Sequence, residues 1–188
     1  FQSLIVAQKK DYGRRLDIIK EFFAFLPKDY NDLVAEVHQF FGSAAVNKTI
    51  YLYPDRAGNK RKEEREQITT DSLNLKAALE SYGFMVVLYN EDAPTIYHWQ
   101  QFKLCQMLFG ERSPLLPIVR IDENECKNLC SAIMISPLKK TEGKIELDKS
   151  SEKKQQLKNQ AGLTTQLPSA MIYLLYGLYS DAVKAELS

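Results

Sequence analysis

The chain has 188 residues, of which 45% are hydrophobic and 26% are charged, and its formal net charge is +1. A chain of this size can bury one sizeable core, and we interpret residues 1–188 as a single domain cut from a longer protein. The balanced charge excludes a global field for nucleic acid or a membrane surface, so any polyanion site must come from local basic clusters. No apolar run reaches the roughly 18 residues of a membrane span, and Phe1–Lys10 lacks the features of a signal peptide.

The predicted elements alternate between strands and helices. In chain order we expect a hairpin of strands 3–8 and 16–23, a helix capped by Asp29 or Asn31, a strand over 49–53, a helix capped by Thr70, a strand over 84–89, a helix over 96–109, a strand over 116–121, a helix over 123–135, a second hairpin over 139–149 and a closing helix over 168–187. The continuous apolar run 84–89 is typical of a parallel strand that is buried on both faces. This order predicts an α/β domain whose mixed sheet is antiparallel at its start and parallel after it.

A carboxylate follows one of these strands directly. The strand 49–53 stops at Pro54, and Asp55 opens a polar loop. Ligands of α/β sheets bind beyond the carboxyl ends of strands, and a carboxylate held there suits Mg²⁺ or Mn²⁺. An Asp that merely caps a turn at the strand end is the alternative interpretation.

Two basic segments are candidates for contacting phosphate groups. The first is the loop after Asp55, which carries Arg56, Lys60, Arg61, Lys62 and Arg65 among three glutamates. The second runs over residues 139–158 and contains seven lysines, among them Lys144 and Lys149, and four acidic residues. Each segment is either a phosphate-contacting surface or a solvated one. In the second, a basic hairpin over a metal site would form a clamp for DNA, and an exposed surface hairpin is the equal alternative.

The remaining polar residues point to structure rather than catalysis. His38 lies among apolar helix positions, and His98 lies near a helix start, so we expect structural roles for both. Cys105, Cys126 and Cys130 contain no CxxC pair, which predicts buried free thiols in a reducing cytoplasm instead of a metal or redox site. The chain has no glycine-rich phosphate loop and no GxSxG motif, which excludes the common NTPase and serine hydrolase signatures.

The order of several segments resembles the nuclease domain of phage terminase large subunits, the motor proteins of viral DNA packaging. Four segments carry the resemblance: 3–23 is similar to the early strands, 50–59 to the second acidic motif, 146–152 to the late lysine-and-glutamate motif, and 164–173 to the final helix motif. The resemblance implies a ribonuclease-H-like mixed β-sheet flanked by helices, with an extra β-hairpin.

The resemblance also implies a function. It implies Mg²⁺- or Mn²⁺-dependent cleavage of double-stranded DNA in the cytoplasm of a bacterial host, with the portal and the small terminase subunit as partners of the whole protein. Asp55 would be a metal ligand, and Asp55, Lys149 and Ser169 would occupy the catalytic positions. Arg56, Lys60, Arg61, Lys62, Lys144 and Lys149 would bind DNA.

Two departures from the family pattern bear on activity. The acid of the first strand would precede Ser3, outside this chain, and the acid of the last helix is replaced by Ser169. A junction resolvase or integrase of the same fold is one alternative. A catalytically inactive domain that binds DNA or a packaging partner is another.

Overall fold

The computed structural model describes residues 2–25, 28–42, 48–54, 62–64, 67–89, 97–111, 113–150 and 160–187. It is a mixed α/β structure with about 50% helix and 26% strand, which confirms the predicted class. The elements are β1 (Gln2–Lys10), β2 (Arg15–Ala24), α1 (Tyr30–Phe41), β3 (Thr49–Leu52), β4 (Lys62–Glu64), β5 (Gln67–Thr69), α2 (Asp71–Ser81), β6 (Met85–Leu88), α3 (His98–Phe109), β7 (Ile118–Ile121), α4 (Lys127–Ile135), β8 (Leu138–Thr141), β9 (Lys144–Leu147) and α5 (Gln166–Leu187).

The chain divides into two compact units. The first comprises Phe1–Gln2 and Phe22–Thr95, and the second comprises Ser3–Glu21 and Ile96–Ser188. Among the described residues, no helix has both the length and the apolar character that crossing a membrane requires.

In the first unit, both helices begin where the sequence predicts. The Asp29 carboxylate accepts hydrogen bonds from the backbone N–H groups of Asn31 and Asp32, and the Asp32 side chain accepts one from the backbone of Asp29, which completes a capping box before α1. The Thr70 hydroxyl accepts a bond of 3.1 Å from the N–H of Leu73 and caps α2. These caps are local, which is why the sequence alone predicts them.

Strands β3 and β6 pair in parallel, with Thr49 opposite Met85 and Leu52 opposite Leu88. One face of the pair is buried through Leu52 and Val86, whereas Met85 on the other face is 61% exposed. The prediction that strand 84–89 is buried on both faces is therefore wrong. Its apolar run includes outward-facing residues, so hydrophobicity alone does not reveal which face is covered.

A short antiparallel hairpin, β4–β5, occupies part of the segment that the sequence predicts as a basic loop. Lys62 pairs with Thr69, and Glu64 pairs with Gln67. The loop interpretation is wrong for Lys62, which opens β4. Charged residues have low β-propensity, so the composition of this segment hides the strand.

The second unit contains the sheet β1-β2-β7. Strands β1 and β2 are hydrogen-bonded neighbours joined by four residues, too few for a parallel crossover, so they form the predicted hairpin. Strand β2 pairs in parallel with β7, with Arg15 opposite Ile118. This three-stranded sheet is therefore mixed, as predicted, but in the described residues β3 and β6 form a separate two-stranded sheet instead of extending it.

The predicted second hairpin is also present in this unit. Strands β8 and β9 pair with Leu138 opposite Leu147. Glu142 and Gly143 at the turn both have positive φ, of 50° and 80°, which fits the tight turns that match the twist of a hairpin.

Helix α4 begins later than expected, at Lys127 instead of residue 123. The Asp122 carboxylate accepts hydrogen bonds from the backbone N–H groups of Asn124 and Glu125, so these residues form a turn before the helix. Pro168 lies in the first turn of α5, where the missing N–H of proline costs nothing.

Candidate functional site

A cavity of about 310 Å³ lies in the second unit, and we call it the α5 cavity. Residues of α3, of the end of α4, of the β8–β9 hairpin and of the first turns of α5 surround it. Most of its lining is apolar, including Phe102, Phe109, Ile133, Leu138, Leu147 and Ile172.

Two of the three residues that the resemblance assigns to catalytic positions line this cavity. They are Lys149, just after β9, and Ser169, in the first turns of α5. Ser169 is 8% exposed, and its hydroxyl oxygen is buried without a hydrogen-bond partner in the described part of the chain. Among the described lining residues, Lys149 is the one that carries a charge.

The Lys149 side chain contacts the aromatic ring of Tyr173 on α5. The Lys149 Nζ lies 5.5 Å from the centroid of that ring, within the range of a cation–π interaction. Tyr173 follows Ser169 by four residues, so both side chains lie on one face of α5, one turn apart. Lys149 therefore contacts α5 about one turn beyond Ser169.

A close approach to α4 positions the start of α5. Gly162, in a 3₁₀ turn over Ala161–Leu163, is buried, and a Cβ built on it would lie 3.2 Å from the Asn128 Oδ1 atom. Asn128 in turn donates from its backbone and its side-chain amide to the Glu21 carboxylate. A contact chain thus links β2 through α4 to the turn that precedes Ser169.

Lys144, which the resemblance assigns to DNA binding, lies at the other end of β9 and outside the cavity lining. Its Nζ is 5.4 Å from the centroid of the Trp99 ring on α3. Lys144 in β9 thus contacts α3 through the Trp99 ring, and Lys149 just after β9 contacts α5 through the Tyr173 ring. Lys144 is exposed, so an anion in the solvent can reach its ammonium group.

The other predicted site residues are not described in detail. Asp55, Arg56, Lys60 and Arg61 lie outside the described residues, and only the backbone of Lys62 is described. The structure therefore brings Lys149 and Ser169 together and leaves the positions of the other predicted residues as predictions.

The described part of this site does not fit a divalent cation. Ser169 offers a neutral hydroxyl where Mg²⁺ and Mn²⁺ prefer carboxylates, and the Lys149 ammonium repels a second cation nearby. Across the described residues, no cluster of three or more His, Cys, Asp or Glu side chains could hold a metal ion. Any metal ligand set would have to draw on residues outside the described part of the chain, such as Asp55.

The prediction of buried free thiols is confirmed for Cys126 and wrong for Cys105 and Cys130, and His38 lies in an aromatic cluster. Cys126 is fully buried, whereas Cys105 and Cys130 are partly exposed, and all three are free thiols. Burial raises the pKa of the Cys105 thiol to about 12, and burial with the nearby Glu21 carboxylate does the same for Cys126. The His38 ring lies 5.0 Å from the ring of Tyr82, centroid to centroid, within an aromatic cluster.

Sequence reasoning missed the cavity itself and the two rings that hold the lysines. Trp99 and Tyr173 lie on helices that are distant in sequence from the lysines they contact, and no local pattern pairs them. Comparisons of the chain with protein-family models, with curated proteins and with solved structures find no match.

Proposed function

We propose that this chain is the nuclease domain of a phage terminase large subunit, with a ribonuclease-H-like fold, and that it acts on double-stranded DNA during genome packaging. One observation carries the proposal. Lys149 and Ser169 come from two motifs of the resemblance, and both line the α5 cavity. Convergence of two independently assigned positions supports the motif assignment.

The mixed sheet and the second hairpin add support for the fold. A hairpin followed by alternating helices and strands is the element order of the described chain, and β2 pairs in parallel with β7. The exposed Lys144 and the basic residues after Asp55 supply positive charge for phosphate contacts.

Metal-dependent cleavage is the first form of this proposal. The chain would nick supercoiled plasmid DNA in the presence of Mn²⁺ or Mg²⁺, with Asp55 as a metal ligand. The experiment compares the wild type with Asp55→Ala and with Asp181→Ala, which removes a carboxylate exposed at 93% on α5. Nicking that is lost only in Asp55→Ala supports cleavage, whereas nicking that persists in Asp55→Ala refutes the assigned site.

DNA binding without cleavage is the second form, and the described geometry favours it. Ser169, with a buried hydroxyl, stands where the family pattern has a carboxylate, and Lys149 lines the same cavity. This pair suits an anion better than a divalent cation. The same assay separates the two forms, because the second predicts no metal-dependent nicking together with salt-sensitive binding of duplex DNA.

A further inference from the structure

The α5 cavity has the features of a small-molecule site. Its volume of about 310 Å³ is within the range of ligand pockets, which are mostly apolar with a few polar groups that orient the ligand. The polar side chains of its lining are those of Gln101, Gln106, Ser136, Lys149 and Ser169, and among these Lys149 carries the charge. A mostly apolar cavity with one cationic side chain suits an apolar molecule that carries a negative charge.

The buried hydroxyl is the observation that points to a ligand. Ser169 is more than nine-tenths buried, and its oxygen has no hydrogen-bond partner in the described residues. A buried polar group without a partner is rare, and an unobserved molecule is one of its standard explanations. A ligand that accepts a hydrogen bond from Ser169 would satisfy it.

The charge of Lys149 in the cavity lining determines the sign of the charge that a ligand would carry. In the described part of the chain, no carboxylate forms an ion pair with Lys149, although Lys139 in the same hairpin pairs with Glu146 at 3.1 Å. The Lys149 ammonium has three donor hydrogens, and a cation–π contact leaves them available to an acceptor. A single negative charge matches this site, whereas the multiple charges of a nucleotide exceed it.

We propose that the α5 cavity binds a small apolar carboxylate, whose head group accepts hydrogen bonds from Lys149 and Ser169 and whose tail lies between Phe102, Phe109, Ile133 and Ile172. This site goes beyond the proposed action on DNA. Its test requires neither DNA nor metal, so the two proposals fail independently.

The experiment is a calorimetric titration of the whole chain with decanoate, with decylamine as a probe of equal length and opposite charge. Decanoate is expected to bind at one site per chain with a submillimolar Kd. Decylamine is expected not to bind, because its ammonium would face Lys149. Equal binding of both probes, several weak sites, or no binding of decanoate would overturn the proposal.

Matched variants locate the head group. Lys149→Met removes the charge while keeping an unbranched side chain only one atom shorter, and it is expected to weaken decanoate binding about tenfold or more; Ser169→Ala is expected to weaken it about threefold. Lys144→Met is the control, since Lys144 contacts the Trp99 ring at the other end of β9 and does not line the cavity. An equal loss of affinity in Lys144→Met and Lys149→Met would contradict the assignment.

A third variant tests the location of the tail. Cys105→Phe adds volume to the cavity wall on α3 and is expected to abolish decanoate binding, with circular dichroism to verify that the variant folds. Because the lysine and serine variants remove atoms without adding bulk, they keep the test decisive if Cys105→Phe does not fold. Unchanged decanoate affinity in a folded Cys105→Phe protein would place the ligand elsewhere.

Discussion

The backbone N–H of Leu129 donates a hydrogen bond of 2.6 Å to the buried carboxylate of Glu21. The other carboxylate oxygen accepts bonds of 3.0 and 2.8 Å from the backbone and the side chain of Asn128. A carboxylate at a helix N-terminus satisfies unpaired N–H groups and interacts favourably with the helix dipole. Strand β2 therefore caps helix α4 across more than one hundred residues of sequence.

The first prediction concerns this cap. Glu21→Ala is expected to lower the free energy of unfolding by about 2–3 kcal/mol, because it leaves buried N–H groups without an acceptor. Urea denaturation measures the change. The control is Glu123→Ala, an exposed acid before the same helix, for which a change within about 0.5 kcal/mol is expected. Equal changes in the free energy of unfolding for the two substitutions would contradict the role of Glu21 as the cap of α4.

The second prediction concerns pH. The backbone N–H groups of Asp32 and then Asn31 lower the pKa of the Asp29 carboxyl below its usual 3.8. Because the folded-state pKa is depressed, the cap stabilises α1 fully above about pH 4 and loses this effect as the pH falls through the lower folded-state value.

The measurement is the urea midpoint of wild type and Asp29→Ala as a function of pH. The difference between the two proteins is expected to be constant near neutral pH and to shrink in acid. Asp71→Ala, at the first turn of α2, provides a comparison with another helix start. A difference for Asp29→Ala that grows as the pH falls would reverse the sign of the argument.

The sequence predicts those features that depend on neighbours in the chain. Asp29 and Thr70 contact backbone groups within three residues, so their caps follow from local chemistry. Glu21 could not be assigned as a cap, because its partners are 107 and 108 residues away. The same reason hides the α5 cavity, since α3, the end of α4, the β8–β9 hairpin and α5 must pack together before Lys149 and Ser169 line one cavity.

The third prediction concerns the thiols. With a pKa of about 12, Cys105 and Cys126 are almost entirely protonated at pH 8, and the thiol is a poor nucleophile. Native protein is therefore expected to react with iodoacetamide far more slowly than urea-unfolded protein at both positions, as measured by peptide mass spectrometry. Rapid native alkylation of Cys126 would contradict its complete burial.

The fourth prediction compares two serines near the cavity. The Ser136 hydroxyl donates to the carbonyl oxygen of Ala132 at 2.5 Å, whereas the Ser169 hydroxyl has no partner in the described residues. Without ligand, Ser169→Ala is expected to leave the free energy of unfolding unchanged or raise it by up to about 1 kcal/mol, while Ser136→Ala lowers it by about 1 kcal/mol. Urea denaturation gives both values. A large loss in Ser169→Ala would show that its hydroxyl is already satisfied.

The most direct test of DNA engagement, which both forms of the proposed function require, is fluorescence anisotropy on a short duplex at several KCl concentrations. Wild type is expected to bind with an affinity that falls steeply with salt. A triple variant, Lys60→Ala, Arg61→Ala and Lys62→Ala, is expected to bind more weakly and to reduce the salt slope by up to about three units. Lys184→Ala, which removes a lysine paired with Asp181, is the control and should behave as wild type. No duplex binding by the wild type, or binding that the triple variant leaves unchanged, would contradict the account.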